Sequence, residues 1–487
     1  MIFLGLSLIF LYLPIFLFYN SVEILMLFQL TILLSLATFS SRVFILVYIS
    51  FLLSYRFFLP LFNMDPLYEL IPIVINLCLF PLFLFKKKDI SVDSDRLIFK
   101  ILKPILLIIF SISISSFINQ TPFFEFIRQS LWIISPLFFL IYIYFADIDH
   151  KDIFKKIIKI LLIFFLIQLP IVILQSIPGN VLNWGTNPDF YSGTFGNSGT
   201  AFISFLSVII FYTYLVKTIN HEFSKAKFSI LSFLIIFFTI FCDISFTIYF
   251  CFISPFFLFV FRNYFNIKFN YRQIVSSSIL VILAISVFLL PRLNEVSKFF
   301  STQSSTSFNL NRFNFDDLSS YSEMIWVGSD GGIRFGRSLG ISFSILAMMQ
   351  SDYDKMIFGY GPGSTRFNDS STGLSTRSSI RPVPQTNFFG VDLIIVEFGL
   401  FGLICFFYLF YFIIYNLMLH KKYVNKDMKI FIILFIIYFL YGSIYDGGWF
   451  FNSTKNGLIW ALAALCFYEI DLRKLEKNKN ISFDTNN

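Results

Sequence analysis

Runs of about 20 apolar residues recur along almost the whole chain, and each is long enough to cross the hydrocarbon core of a bilayer as a helix. Inside that core, water cannot bond the backbone, so such runs are expected to be helices that satisfy their own N–H and C=O groups. Charge is too sparse for the alternative. Only 14% of the 487 residues are charged, 57% are hydrophobic, and the mean hydropathy is +0.77. A soluble chain of this size needs more charge on its surface. The fold class expected is an all-α polytopic integral membrane protein.

The apolar runs fall near residues 2–19, 22–40, 43–60, 66–85, 101–118, 130–146, 158–177, 198–217, 228–241, 245–261, 273–291, 388–416, 430–446 and 457–471. That makes about 14 transmembrane helices. The hairpin Cys242-Asp243-Ile244-Ser245 between the ninth and tenth is thin, so one long tilted helix is the alternative there. The first run has no basic residues before it and no small-residue cleavage site, and is read as a span rather than a signal peptide.

Basic residues orient the chain, because loops facing the cytoplasm collect Lys and Arg. With both termini inside, the inner loops hold Arg42, Lys86 to Lys103, Lys151 to Lys159, Lys217 to Lys227, Arg262 to Arg272, Lys421 to Lys429 and Arg473 to Lys479. These account for 25 of the 37 basic residues. The short outer segments hold only Arg56, Arg128 and Lys455, and the other nine lie in one long outer loop. The expected organisation is an N-terminal transmembrane bundle of about 11 helices at 1–291, a large periplasmic loop at 292–386 containing short helices, and C-terminal transmembrane helices with a cytoplasmic tail at 387–487.

Five cysteines (Cys78, Cys242, Cys251, Cys405 and Cys466) sit inside apolar runs without metal-ligand or disulfide spacing, and are read as small buried hydrophobes. Neither a metal nor another cofactor is expected. The long loop is flanked by Ser/Thr/Asn-rich stretches, 301–317 and 364–379. Its nine basic residues are Arg292, Lys298, Arg312, Arg334, Arg337, Lys355, Arg366, Arg377 and Arg381, accompanied by eight acidic ones. That balance, and the outward placement, argue against nucleic acid as a partner. Arg binds phosphate in a bidentate fashion that Lys does not. Arg334 and Arg337 follow Ser329-Asp330-Gly331-Gly332, which reads as a helix start. Apolar residues from Ile333 to Met349 suit a helix lying at the membrane surface. Two Arg on one face near a helix N-terminus make an anion site. After that helix comes a glycine-rich elbow, IFGYGPGS, from Ile357 to Ser364, and then VEFGLFGL from Val396 to Leu403. Glu397 and Asp392 lie within the following span, where an ionisable group is costly and often functional. Glu397 has the alternative role of bonding to a neighbouring helix.

Three segments in order resemble the O-antigen polymerase and ligase family of bacterial surface-polysaccharide enzymes. They are YSGTFGNSGTAFISFL (191–206), GIRFGRSLGISFSILAMMQSDYDKMIFGYGPGS (332–364) and QTNFFGVDLIIVEFGLFGL (385–403). The resemblance covers roughly 190–415 through its motifs and the first half only through hydropathy. It implies an undecaprenyl-diphosphate-linked oligosaccharide as substrate, in the bacterial inner (cytoplasmic) membrane, with membrane lipid, a chain-length regulator and a flippase as partners. It implies Arg334, Arg337 and Arg128 as catalytic cations on the diphosphate. Arg292, Arg381, Gly359, Gly361, Gly363, Asn387 and Glu397 follow as substrate-binding positions. Arg337 stands 22 residues before Gly359, about four more than is usual in the family, or about one helical turn. Ligase-type members also carry a His just before the last motif, where this chain has Pro384-Gln385-Thr386-Asn387. His150, His221 and His420 all fall in expected inner loops, so no outer His serves as a base. A polymerase is therefore expected over a ligase. A flippase-type transporter is the rival from another class, although no internal repeat is evident. A reporter fused to the C-terminus is expected to be active only in the cytoplasm. Outward activity of that fusion breaks the assigned topology.

Overall fold

A computed structural model describes residues 9–15, 18, 21–62, 66–86, 96–177, 180, 193–195, 200–242, 247, 250–251, 254, 260–265, 325–327, 333–335, 348, 352–362, 364, 390–425, 427–444 and 453–484. Its helices are α1 (Val22–Phe39), α2 (Ser41–Leu52), α3 (Phe58–Leu61), α4 (Ile71–Lys86), α5 (Leu97–Ile118), α6 (Phe123–Phe145), α7 (His150–Ser176), α8 (Thr200–Ile219) and α9 (Lys225–Phe241). The order continues with one turn, α10 (Arg262–Phe265), then β1 (Ile325–Val327), β2 (Ile333–Phe335), α11 (Tyr353–Phe358), α12 (Val391–Leu419), α13 (Ile430–Ile444) and α14 (Ser453–Asp484). Among the described residues, six helices are long and apolar enough to cross a membrane: α1, α5, Phe126–Phe145 of α6, α7, Phe202–Ile219 of α8 and Leu393–Leu419 of α12. The chain is a multi-pass membrane protein built of helices. The expected spans 2–19 and 245–261 lie mostly outside the described residues, and 273–291 lies wholly outside them.

The helices pack as the apolar runs dictate. α12 lies along α5, α14 and α4 lie along α6, and α13 and α9 lie against α8. Ile98, Ile101, Ile105, Ile108 and Ile112 carry the buried face of α5, at helical spacing. The opposite faces keep large apolar side chains outward, among them Leu27, Phe110, Ile230, Phe233 and Ile404. In water such a surface would aggregate, and in a bilayer lipid chains cover it. Pro81, Pro104, Pro136 and Pro170 sit inside helices. Neighbouring helices tolerate such prolines in membranes by bonding the freed backbone groups. Buried polar side chains are likewise tied across the bundle. Tyr68 donates to Gln29 Oε1 at 2.8 Å, Gln29 donates to the Leu11 carbonyl at 3.2 Å, and Tyr48 donates to Asn76 Oδ1 at 2.8 Å.

Two sequence expectations change. The run 43–60 is not one helix: α2 stops at Leu52, a turn and the 3-10 turn Tyr55–Phe57 follow, and α3 resumes at Phe58. Ser54 Oγ donates back to the Ser50 carbonyl at 2.7 Å, while the Leu53 carbonyl accepts from Thr194 Oγ1, so the broken backbone stays bonded. The helix start expected at Gly332 is instead the strand β2, antiparallel to β1, with Arg334 opposite Trp326. Gly328-Ser329-Asp330-Gly331-Gly332 are turn formers, and that composition serves a hairpin as well as a helix start. Arg334 therefore does not share a helix face with Arg337, which lies outside the described residues.

One end of the bundle gathers charge. Arg42 meets Asp152 at 2.8 Å, Lys155 meets Asp427 at 3.0 Å, and buried Glu469 takes both Arg473 at 2.6 Å and Lys151 at 3.2 Å. Buried Asp471 accepts from Leu97 N at 2.9 Å, capping α5 from another helix, and from Tyr144 OH at 2.7 Å. Asp149 caps α7 from within, accepting from the backbone N–H groups of Lys151 and Asp152. These contacts join several of the loops expected to be cytoplasmic. The exposed pairs are worth at most about 1 kcal/mol each, and buried Glu469 is held by two cations that stay partly exposed, so losing either leaves the other in place.

His420, just after α12, belongs to this cluster. Lys474 Nζ lies 3.0 Å from its Nε2. Desolvation, then Lys474, Lys100 and Lys422, push the imidazole down to about 4. A folded state that holds this His neutral binds fewer protons than the unfolded chain between pH 4 and its ordinary value of 6.5. Stability is therefore expected to fall as pH drops through that window. His420→Asn removes that share of the slope in a detergent unfolding series, and an unchanged slope refutes the assignment.

Candidate functional site

Both glycine motifs meet at the end of the bundle opposite the charged cluster. The elbow begins where α11 ends, at Gly359, whose φ of +75° is a conformation that side chains resist. The other half is a kink within α12, where Gly399 has φ +67° and ψ −167°. The elbow docks on that kink. Tyr360 N donates to the Val396 carbonyl at 2.8 Å, and Gly361 N donates to the Glu397 carbonyl at 3.1 Å. The two backbones come so close that neither has room for a Cβ. One at Gly359 would lie 2.5 Å from the Glu397 carbonyl, and one at Gly399 would lie 2.3 Å from the Ile357 oxygen.

Helix α5 and the loop after it complete the joint. Ser115 Oγ donates to the Glu397 carbonyl at 2.8 Å. Asn119 Nδ2 donates to the Gly359 carbonyl at 3.0 Å and to the Ser115 carbonyl at 2.7 Å. Lys355, on α11, donates to Asn119 Oδ1 and lies 3.8 Å from Asp354 and 5.9 Å from the Tyr360 ring centre. Thr121 faces Gly361. Gly402 completes the G-x-x-G run one turn on, and lets Ser111 of α5 come within 3.1 Å of where its Cβ would be. Small residues on both helices permit this close crossing. The whole side chain of Glu397 is buried in the joint.

A second irregular segment belongs to the first of the three motifs. Gly193–Phe195 forms a single buried 3-10 turn. It is gripped by two side-chain amides of α7. Gln175 accepts from Gly193 N at 2.8 Å and donates to the Gly193 carbonyl at 3.1 Å. Gln168 accepts from Thr194 N at 2.7 Å and donates to Thr194 Oγ1 at 2.9 Å. The Gln175 amide thus imitates a strand neighbour, supplying one donor and one acceptor to the Gly193 backbone, while Gln168 takes the Thr194 N–H and donates to its hydroxyl. Gly193, at φ +60°, passes so near Gln168 Oε1 that a Cβ would sit 1.9 Å from it. Gln168 lies two turns before the end of α7, so the Gly193–Phe195 turn lies alongside that helix rather than beyond its end.

Of the expected site residues, the structure brings Gly359, Gly361 and Glu397 together. Arg128 is half-buried in the second turn of α6, which begins just after Thr121. Arg334 stands in β2. Arg292, Arg337, Arg381, Gly363 and Asn387 lie outside the described residues. Ser115, Asn119, Lys355 and the two glutamines were not singled out by sequence. Their only signal was a polar residue within or beside an apolar run, which does not identify the carbonyl it will bond. No family model matches the chain, and no curated protein matches it.

Gly399→Ala is expected to destabilise by about 3 kcal/mol or more, from a left-handed φ at about 1–2 kcal/mol and two displaced backbone hydrogen bonds at about 1 kcal/mol each. Gly457→Ala meets only the tip of Leu52 and serves as the mild control. Thermal unfolding of the purified chain checks the contrast, and equal melting of the two variants contradicts it.

Proposed function

We propose that the chain polymerises undecaprenyl-diphosphate-linked oligosaccharide repeats of a bacterial surface polysaccharide, O-antigen or capsule, at the outer face of the inner membrane. What supports this reading is the docking of the Gly359–Gly361 elbow on the Gly399 kink, because two of the three segments that carry the resemblance meet there. A chain that merely needed a turn after α11 would not require two backbones in van der Waals collision range.

In this reading a hydroxyl on one lipid-linked repeat attacks the anomeric carbon of a growing lipid-linked chain. The new C–O bond forms as the bond to the diphosphate breaks, undecaprenyl diphosphate leaves with the electron pair, and the hydroxyl proton passes to a base. Diphosphate is already a good leaving group, so positioning and charge stabilisation suffice for much of the rate. Arg334, Arg337 and Arg128 are the proposed cations on it, with Arg292 and Arg381 near the ends of the loop. Gly359, Gly361, Gly363, Asn387 and Glu397 are the proposed substrate-binding positions. Asp352 and Asp354, exposed at the start of α11, are within reach of the outer surface as bases, as are Glu323 and Asp330 by sequence position. Both termini face the cytoplasm, and a flippase and a chain-length regulator work beside the enzyme.

Deletion of the gene followed by gel analysis of the surface polysaccharide tests this reading. Collapse of the long ladder to carrier plus one repeat is expected. Long lipid-linked chains that never reach their final acceptor identify a ligase instead, and single repeats held on the cytoplasmic side identify a transporter.

A further inference from the structure

The charged end of the bundle holds lysines that its ion pairs do not use. α12 ends there, with His420 as its C-cap residue, and α5 begins there, capped by Asp471 of α14. His420 meets α14 through Lys474, whose Nζ lies 3.0 Å from Nε2. An ammonium only donates, so Nε2 accepts and the neutral ring carries its proton on Nδ1. The Tyr423 ring stands 6.2 Å from the imidazole and 5.0 Å from Lys422 Nζ. Lys474, His420, Tyr423 and Lys422 therefore form one patch, from α14 across to the loop after α12. The patch is positive without a matching carboxylate. Lys421 and Lys422 are exposed, and among the described residues neither meets a carboxylate within ion-pair distance. Asp471, 4.0 Å from Lys474, already takes Leu97 N and the Tyr144 hydroxyl. His420 registers the imbalance. Desolvation, then Lys474 from α14, Lys100 from α5 and Lys422 from its own loop, all drive its proton off.

We propose that His420, Lys422 and Lys474 hold the phosphate of an anionic phospholipid whose chains lie along the outward face of α12. The patch continues directly into an apolar stripe. Tyr408, Tyr411, Tyr415, Met418 and Leu419 recur at helical spacing over the last turns of α12, and all are exposed. The rings of Tyr411 and Tyr415 stack with centres 5.8 Å apart, and tyrosines in such a position sit at the level of lipid headgroups. A soluble anion has no use for that stripe, whereas a phospholipid needs both halves. Basic groups gathered between transmembrane helices attract anionic headgroups. The polar half suits a phosphate: two ammonium groups supply charge, and Nδ1 of the neutral imidazole supplies a donor. The negative charge also offsets the repulsion among lysines drawn from α5, α12 and α14. The site takes nothing from the polymerase reading, since it lies at the end of the bundle opposite the elbow.

The test uses the full chain purified in neutral detergent, with dioleoylphosphatidylglycerol, dioleoylphosphatidylcholine and inorganic phosphate as probes. A ligand that binds only the folded state raises its melting temperature. Phosphatidylglycerol is expected to do so, and the other two are not. Lys422→Gln and Lys474→Gln are each expected to weaken apparent binding about fivefold, the share of one basic residue near an anionic lipid surface. Lys225→Gln and Lys227→Gln, at exposed lysines that begin α9, leave it unchanged. A second readout follows the imidazole itself. The chain has three histidines, so ring signals are separable by NMR, and His420→Asn assigns the one concerned. Phosphatidylglycerol is expected to bring His420 back from about 4 toward its ordinary 6.5, because a nearby negative charge favours the protonated ring. Equal stabilisation by both lipids overturns the site, as does a His420 titration that phosphatidylglycerol does not move. Equal losses in the α9 variants mean diffuse surface attraction and overturn it too. Inorganic phosphate matching phosphatidylglycerol rules out the lipid as occupant. Should Lys474→Gln fail to fold, exposed Lys422 and the titration decide. An unchanged polysaccharide ladder in the deletion strain sets the polymerase reading aside and leaves this binding result standing.

Discussion

A backbone amide in lipid has no water to bond, and the architecture of this protein follows from that. Helices meet the demand within each segment, which is why the apolar runs become α5, α7, α8 and α12. The demand is hardest to meet where the helix gives way. There, each freed carbonyl and N–H must find a partner from elsewhere in the chain, and the partners select which segments meet. The Glu397 carbonyl is the clearest case, accepting from Gly361 N and from Ser115 Oγ.

Two solutions to the same demand appear at one end of the bundle. At the elbow, backbone bonds to backbone, and glycines on both sides allow the approach. At the Gly193–Phe195 turn, glutamine amides on α7 stand in for a neighbouring strand. The first joins segments about 40 residues apart and links them to α5, some 240 residues earlier in the chain. The second also reaches the break after α2 through Thr194. Irregular backbone held this firmly is pre-organised and has little conformational freedom left to lose.

The opposite end is organised by charge. Burial of Glu469 and Asp471 is tolerable because each is met by cations or donors from other helices, and those contacts draw α5, α6, α7 and α14 into register. His420, kept neutral among lysines, shows the cost of packing so many cations at one surface. The division of labour is physical. A dense cationic end suits the side where positive loops remain during insertion.

Hydropathy is a local property, so the sequence alone determined the fold class, the positions of most described helices and the clustering of Lys-rich loops. It also marked IFGYGPGS and VEFGLFGL as unusual, since glycines in a chain this apolar demand a reason. It did not determine that the two motifs dock on each other, or that Asn119 and Lys355 lock the joint. Those depend on which surfaces meet across hundreds of residues, and a polar residue in an apolar run says only that a partner is needed. The Gly328–Gly332 stretch misled for a related reason: glycine and aspartate open a helix and turn a hairpin equally well, and only the pairing of Trp326 with Arg334 chose between them. Tertiary structure decides such cases because the competing local conformations differ by less energy than the long-range contacts supply.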